Sequence, residues 1–203
     1  MIELAPSPSK KSILDAARKL FVKYGYAGLS MRELAEECGL ANATIYHYFQ
    51  DKQEILLNVI ENDMAAMRGS MIAAAAQEDD CIGKLRAVIS THYAMMRERH
   101  DFIINNIREI QGLEPQLQDL KRKHIAAYQC PIAKIIEDGI DQGLFRPLNV
   151  KMTVASLFGM INSLVFHQHL NGECEVNEDF IEHTLALFLR GVVNKGVVDK
   201  TEN

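Results

Sequence analysis

The sequence predicts an all-α chain of about nine helices, and three observations carry that prediction. Period-two alternation is absent beyond the opening of the fourth helix, and apolar side chains recur at three- and four-residue intervals. Residues 1–52 hold short helical segments, each with its own start or stop signal. Beyond them, long segments rich in Ala, Leu, Met and Ile keep helical spacing between brief breaks.

Each element has a local reason. Residues 1–8, with Pro6 and Pro8, read as a loose arm. A helix starts near Ser9, because Ile13, Ala16, Ala17, Leu20 and Phe21 fall on one stripe; Gly25 should stop it. Ser30 and Glu33 form a capping box for a second helix that buries Leu34 and Ala35 and ends at Gly39. A third, short helix runs from about Asn42 to Tyr48, with Ile45 in the core and Phe49 as a core plug. Asp51 and Glu54 make a second capping box, which opens a long fourth helix. The remaining spacing places helices at roughly 52–76, 81–98, 101–111, 115–142, 150–170 and 178–193. Pro115 suits a first turn and Gly143 a helix end, whereas Pro131 should kink the segment that contains it. The division expected is a small domain at 1–52 and a larger one at 53–203.

Composition removes several function classes. With 22 basic and 27 acidic residues the net charge is −5, so bulk electrostatics do not make this chain a nucleic-acid coat. Locally, Lys10, Lys11, Arg18, Lys19, Lys23 and Arg32 face only Asp15; by residue 52 the balance is seven basic against six acidic, so charge alone decides nothing. Cys38, Cys81, Cys130 and Cys174 form no C-x-x-C pair, as suits unpaired thiols in a reducing compartment. The first residues lack the apolar core of a signal peptide and no apolar run approaches a membrane span, so a soluble, cytoplasmic protein with no membrane partner is expected. His167 and His169 diverge on a helix, and His92, His100, His124 and His183 lack a partner in metal-site order. No metal site, no cofactor and no catalytic residue is expected, and hence no enzyme.

Three short helices with a glycine-containing turn between the second and third make the layout of a helix-turn-helix reader. The stretch from Ile13 to Leu56, ILDAARKLFVKYGYAGLSMRELAEECGLANATIYHYFQDKQEIL, resembles the N-terminal signature of the TetR (tetracycline-repressor) family. Its most specific pieces are the Ala16-Ala17 to Leu20-Phe21 run, Gly25-Tyr26 before Ser30, Leu34-Ala35, and Thr44-Ile45-Tyr46-His47-Tyr48-Phe49 with Lys52. The resemblance implies that Arg32 reaches a base edge, where a guanidinium suits guanine. It likewise implies that Asn42, Ala43, Thr44, Tyr46 and His47 enter the major groove. Tyr46, Tyr48 and Lys52 resemble the family's phosphate clamps, with Ser30 and the amides opening the fourth helix beside them. Tyr48 fits a core role equally well. Ala41 stands where the family often has a Ser cap, so Asn42 is expected to cap the third helix instead.

The larger domain carries a ligand and dimer expectation. At 150–170, Val154, Leu157, Phe158, Ile161, Leu164 and Val165 form one stripe, while Met152, Ser156, Gly159, Met160 and Ser163 form another. The 178–193 segment is alike, with Phe180, Ile181, Leu185, Leu187, Phe188, Leu189 and Val192. Two apolar faces imply a homodimer through both helices, as in the TetR family's four-helix interface. The resemblance also implies a ligand cavity, lined by Tyr93, Met96, Ile103, Ile104, Ile107, Tyr128, Ile132, Phe158, Asn162 and Phe166. Arg97, Arg99, Arg108, Lys121, Arg122 and Lys123 form a basic set suited to an anionic head, and the stretch with Leu117, Ile125, Ile135, Gly139 and Gly143 loosely resembles fatty-acyl-responsive members. The expected protein is a repressor released from palindromic double-stranded operator DNA by a small, largely apolar inducer such as a fatty acid or acyl-CoA. The alternative is an α-helical lipid-binding module or enzyme with only a reader-like N-terminus.

Overall fold

The computed structural model describes residues 10–171 and 178–194. Among them run α1 (Lys10–Gly28), α2 (Met31–Glu37), α3 (Asn42–Tyr48), α4 (Lys52–Ala75), α5 (Cys81–Glu98), α6 (His100–Gly112), α7 (Glu114–Asp141), α8 (Val150–Asn171) and α9 (Glu178–Val192). The only β pairing among the described residues is one isolated antiparallel bridge, Phe145 with Val193. The all-α expectation holds, and α7 runs as one helix through Pro131.

The chain forms two compact units, one from residues 1–64 and 99–121, the other from 65–98 and 122–203. The first unit is therefore larger than the expected 1–52 segment: it takes in the first half of α4 and all of α6. The reason is packing, since α6 lies along α1 and Phe102 joins the core made by Ile13, Ala17, Phe21, Leu34, Ile45, Phe49 and Leu56. Each such large apolar side chain contributes about 1.5–3 kcal/mol on burial.

Gly25 breaks α1 with φ 68° and ψ 173°, a region open to glycine alone, rather than with the left-handed helical turn expected of a helix stop. The break leaves carbonyls of the preceding turn without helical donors. Helix α6 supplies the donors: Asn105 Nδ2 donates to Val22 O at 2.6 Å, and the buried Asn106 Nδ2 donates to Phe21 O at 3.2 Å. A Cβ on Gly25 would also stand 3.1 Å from Asn105 O. At the other end of this interface, Asp63 of α4 pairs with Arg18 of α1 and, at 3.5 Å, with Arg99 just before α6. The Arg18 guanidinium lies 5.3 Å from the Phe102 ring centroid.

In the second unit, Leu85, Val88, Ile89 and Tyr93 of α5 meet Val154, Leu157, Phe158 and Ile161 of α8 and Ile181, Leu185 and Phe188 of α9. Phe188 is only 5% exposed, whereas its neighbour Leu187 is 47% exposed. The expected stripe of α9 thus splits: Phe188 belongs to the core of the second unit and Leu187 faces out. On α8, Met152, Ser156 and Gly159 are exposed on the face opposite the core, and Leu164, Val165 and Ser163 lie outside the described side chains.

The α7–α8 turn is tied down tightly. Phe145 N donates to Gly139 O at 2.9 Å, Arg146 N to Val192 O and Asn194 N to Leu144 O, each also at 2.9 Å. Gly143 turns the chain with φ 71°. A Cβ on Gly139 would clash with the Cδ2–Cε2 edge of the fully buried Phe145 ring. Gly139→Ala should cost about 1–2 kcal/mol by overpacking, despite alanine's better helix propensity, as read in denaturant unfolding. A more stable variant would mean that Phe145 has room to move.

Candidate nucleic-acid interface

The site grows from α2, the turn at Gly39 and α3. Ser30 Oγ accepts from Glu33 N at 3.2 Å, and Glu33 Oε2 accepts from Ser30 N at 2.7 Å, so the predicted capping box is present. The Ser30 hydroxyl also donates to Glu33 Oε2 at 2.7 Å and, together with the backbone bond, holds the Glu33 carboxyl below its ordinary range. That hydroxyl hydrogen is engaged within the cap. Gly39, with φ 65°, reverses the chain into α3.

Helix α3 has Ala41 as its N-cap with no side-chain hydrogen bond, and Asn42 is its first residue. The expected capping role of Asn42 is corrected by this placement: inside the helix, its exposed side chain remains available to solvent. Ile45 is fully buried and Phe49 nearly so, which fixes the rotation of the helix. Asn42, Ala43, Tyr46 and His47 then face solvent together, at the i, i+1, i+4 and i+5 spacing of a single face. Thr44 and Tyr48 are half-buried at its edge; Tyr48 packs partly against the core and meets the His47 ring edge-on at 5.6 Å. The Lys10 ammonium lies 5.1 Å from the Phe49 ring centroid, at the exit of α3. That neighbour is invisible in sequence, where Lys10 is one of a run of bases.

Arg32 projects from the start of α2 with its side chain 82% exposed, and its Nε donates to Glu36 Oε1 at 2.9 Å. Lys52, which opens α4, is differently placed. Its Nζ donates to Tyr26 O at 2.6 Å and to Leu29 O at 2.7 Å and lies 4.4 Å from the Tyr26 ring centroid. Burial pulls the ammonium below its ordinary pKa, against the attraction of Glu109 and Glu33. Lys52 is thus a brace between α4 and the α1–α2 turn, with one of its three N–H donors left over. At the same end of α4, Glu54 N donates to Asp51 Oδ1 and Gln50 N to Glu54 Oε2, each at 2.7 Å. Half of the expected second capping box is thus present, its return bond falling on Gln50 N instead of Asp51 N, and Glu54 N is taken from the amide set that the sequence offers to a phosphate.

The residues expected around a ligand divide between the units. Tyr93, Ile132 and Phe158 are buried in the second core, with Met96 packed against it. Ile103 packs at the margin of the first core instead, because α6 belongs there. The side chains of Ile104, Ile107, Tyr128, Asn162 and Phe166 lie outside the described residues. Two buried polar residues beside this set carry no signal in sequence, His92 and Thr184. Tyr93 Oη and Thr184 Oγ1 stand 3.4 Å apart, Thr184 Oγ1 donates to Phe180 O at 2.9 Å, and the His92 ring meets Phe158 at 6.0 Å. Burial raises the Tyr93 pKa, so its hydroxyl stays protonated. Of the basic set, Arg97 and Arg108 are exposed and Arg99 is engaged with Asp63, while Lys121, Arg122 and Lys123 lie outside the described side chains. Among the described residues no helix is long and apolar enough to cross a membrane.

A solvent-facing third helix on a small helical core, followed by a larger all-helical unit, defines a helix-turn-helix transcriptional regulator. The family model of bacterial regulatory proteins of the tetR family matches residues 13–59, and that of a tetracyclin repressor-like C-terminal domain matches 78–192. The chain belongs to the TetR family and is a DNA-binding transcriptional regulator. It is 25% identical over 189 residues to the fatty acid metabolism regulator protein of Bacillus subtilis (strain 168), with 93% of this chain and 97% of that protein covered. Among solved structures it is similar to the TetR family regulator PfmR from Thermus thermophilus, at 27% identity and TM-score 0.61, covering 88% of this chain and 97% of that one. It also shares the fold of FadR from Bacillus subtilis, solved in complex with stearoyl-CoA, at 24% identity and TM-score 0.75, covering 90% and 99%.

Proposed function

We propose that the protein is a homodimeric repressor that a long-chain acyl-CoA releases from a palindromic operator. The observation that carries the DNA half is the single exposed face of α3, with Asn42, Ala43, Tyr46 and His47, set beside Arg32. In this reading Arg32, Asn42, Ala43, Thr44, Tyr46 and His47 meet base edges, and Tyr46, Tyr48 and the spare donor of Lys52 meet phosphates, while Ser30, whose amide and hydroxyl hydrogens both go to Glu33, holds the start of α2. The ligand half is supported by the name of the fatty acid metabolism relative, by the stearoyl-CoA held by the structural neighbour, and by the apolar second core. Tyr93 and Thr184 supply the polar handle in that core, and Met96, Ile132 and Phe158 the apolar wall. Helix α4 belongs to both units along its length, and α5 passes directly into α6, whose asparagines cap α1. A rearrangement in the second unit therefore reaches the reader through continuous backbone.

Dimerisation is assigned to the outward faces of α8 and α9, where Met152 is 69% exposed beside Ser156 and Gly159 and Leu187 stands out from α9. Leu187→Glu should give monomers with weak operator binding and unchanged helicity, because a carboxylate buried against a partner without a counter-ion is costly. Phe188→Glu should instead unfold the second unit. Unchanged sedimentation of Leu187→Glu would move the interface elsewhere.

The experiment for the whole reading is to select duplexes from a randomised pool with the purified protein and then titrate the complex with stearoyl-CoA, stearate and choline. An inverted repeat released by stearoyl-CoA is the expected result. Retention of mixed sequences with no repeat would overturn the operator, and release by choline alone would overturn the acyl ligand.

A further inference from the structure

We infer that Glu36 is a positioning residue for base recognition: it orients the Arg32 guanidinium so that its two terminal amino groups point away from α2 as a fork. The inference rests on the proposal that Arg32 reads a base edge.

The geometry is specific. Arg32 and Glu36 stand one helical turn apart on α2, and the contact is made by Nε at 2.9 Å. Nε is the inner nitrogen of the guanidinium, so both Nη groups stay outside the ion pair. Those two groups form the parallel fork that matches O6 and N7 of guanine. An arginine side chain has four soft torsions and costs rotamer entropy when it is held in one geometry. Anchoring Nε removes much of that freedom before DNA arrives, and it does so without occupying a donor that an end-on fork needs.

Stability does not account for the pair. Glu36 is 62% exposed and Arg32 82% exposed, and ion pairs this exposed contribute little to folding. Glu36 also carries a negative charge on the face that approaches a polyanion, which opposes binding of any duplex regardless of sequence. A carboxylate that weakens binding to all sequences while fixing the reader of one base pair raises the ratio between specific and non-specific affinity. The same carboxylate is also able to accept from N4 of a cytosine. In that case its effect would not depend on Arg32.

The test uses the full-length protein, a duplex selected from a randomised pool, its single-base-pair variants and one mixed-sequence duplex of equal length. Arg32→Ala should abolish preference at one guanine-containing pair. Glu36→Ala should reduce preference at that same pair on the order of 5-fold, with Glu36→Gln intermediate, and should tighten binding to the mixed-sequence duplex on the order of 2-fold. In the Arg32→Ala background, Glu36→Ala should change no preference further. Thermal unfolding of each variant at the parent temperature shows that the helix is intact. Unchanged preference in Glu36→Ala, with Arg32→Ala active, would overturn the inference and leave the Arg32 reading standing. An equal loss in the Arg32→Ala background would overturn it in favour of direct reading by Glu36. If Arg32→Ala leaves every pair unchanged, the base-reading proposal and this inference fall together.

Discussion

Lys52→Ala should both destabilise the first unit, by about 2 kcal/mol, and weaken binding to all duplexes alike, by roughly ten-fold. The stability loss follows from two charge-assisted hydrogen bonds, to Tyr26 O and Leu29 O, whose acceptors lose their partner when the ammonium goes. Those carbonyls flank the turn that delivers Ser30 and Arg32, so α2 loses its registration on α4 at the same time. The binding loss has a second source in the remaining N–H donor, and a phosphate contact there would take about one unit from the salt slope. Lys52→Met keeps the alkyl chain over the Tyr26 ring and removes all donors, so its difference from Lys52→Ala isolates the packing from the hydrogen bonds. Denaturant unfolding and salt-dependent binding check the two losses independently. Parent-like unfolding of both variants would show that the brace contributes nothing and that the ammonium acts on DNA alone.

Asp63→Ala should cost about 2–3 kcal/mol, somewhat below the figure for a wholly buried pair because all three side chains keep some solvent. Removing this carboxylate leaves two guanidiniums, on Arg18 and Arg99, facing one another without the anion between them. Asp63→Asn retains hydrogen-bond acceptance and loses the charge, so it should fall between parent and Asp63→Ala. The difference between parent and Asp63→Asn should shrink in high salt, since it is the Coulombic part. Equal unfolding of Asp63→Asn and parent at low salt would mean that hydrogen bonding alone holds the three elements together.

The elements are legible where their signals are local. Ser30 with Glu33 and Asp51 with Glu54 sit within one turn of each other; the first capping box forms in full, and the second forms with its return bond at Gln50 N in place of Asp51 N. Ile45 is assignable to the core because it is the one aliphatic side chain larger than alanine on the short helix, and it is fully buried. What escapes depends on partners distant in sequence. Asn105 and Asn106 cap carbonyls more than eighty residues away, and nothing in the pattern of α6 announces that its asparagines serve α1. Lys52 reads as a phosphate contact because its family position is all the sequence offers; its actual acceptors lie in a turn whose carbonyls have no signature. Phe188 and Leu187 are interchangeable in sequence for another reason. On a helix apolar on two sides, periodicity does not say which face the chain's own core covers.

The first unit is built from two separate lengths of chain, with the whole of α5 and the second half of α4 intervening. In protein-dissection terms the reader is a discontinuous module, and a peptide ending at residue 64 would lack the donors that finish α1. Grafting it onto another effector domain therefore calls for both lengths, with the new domain spliced between residues 64 and 99 in place of the native insert rather than appended at one end.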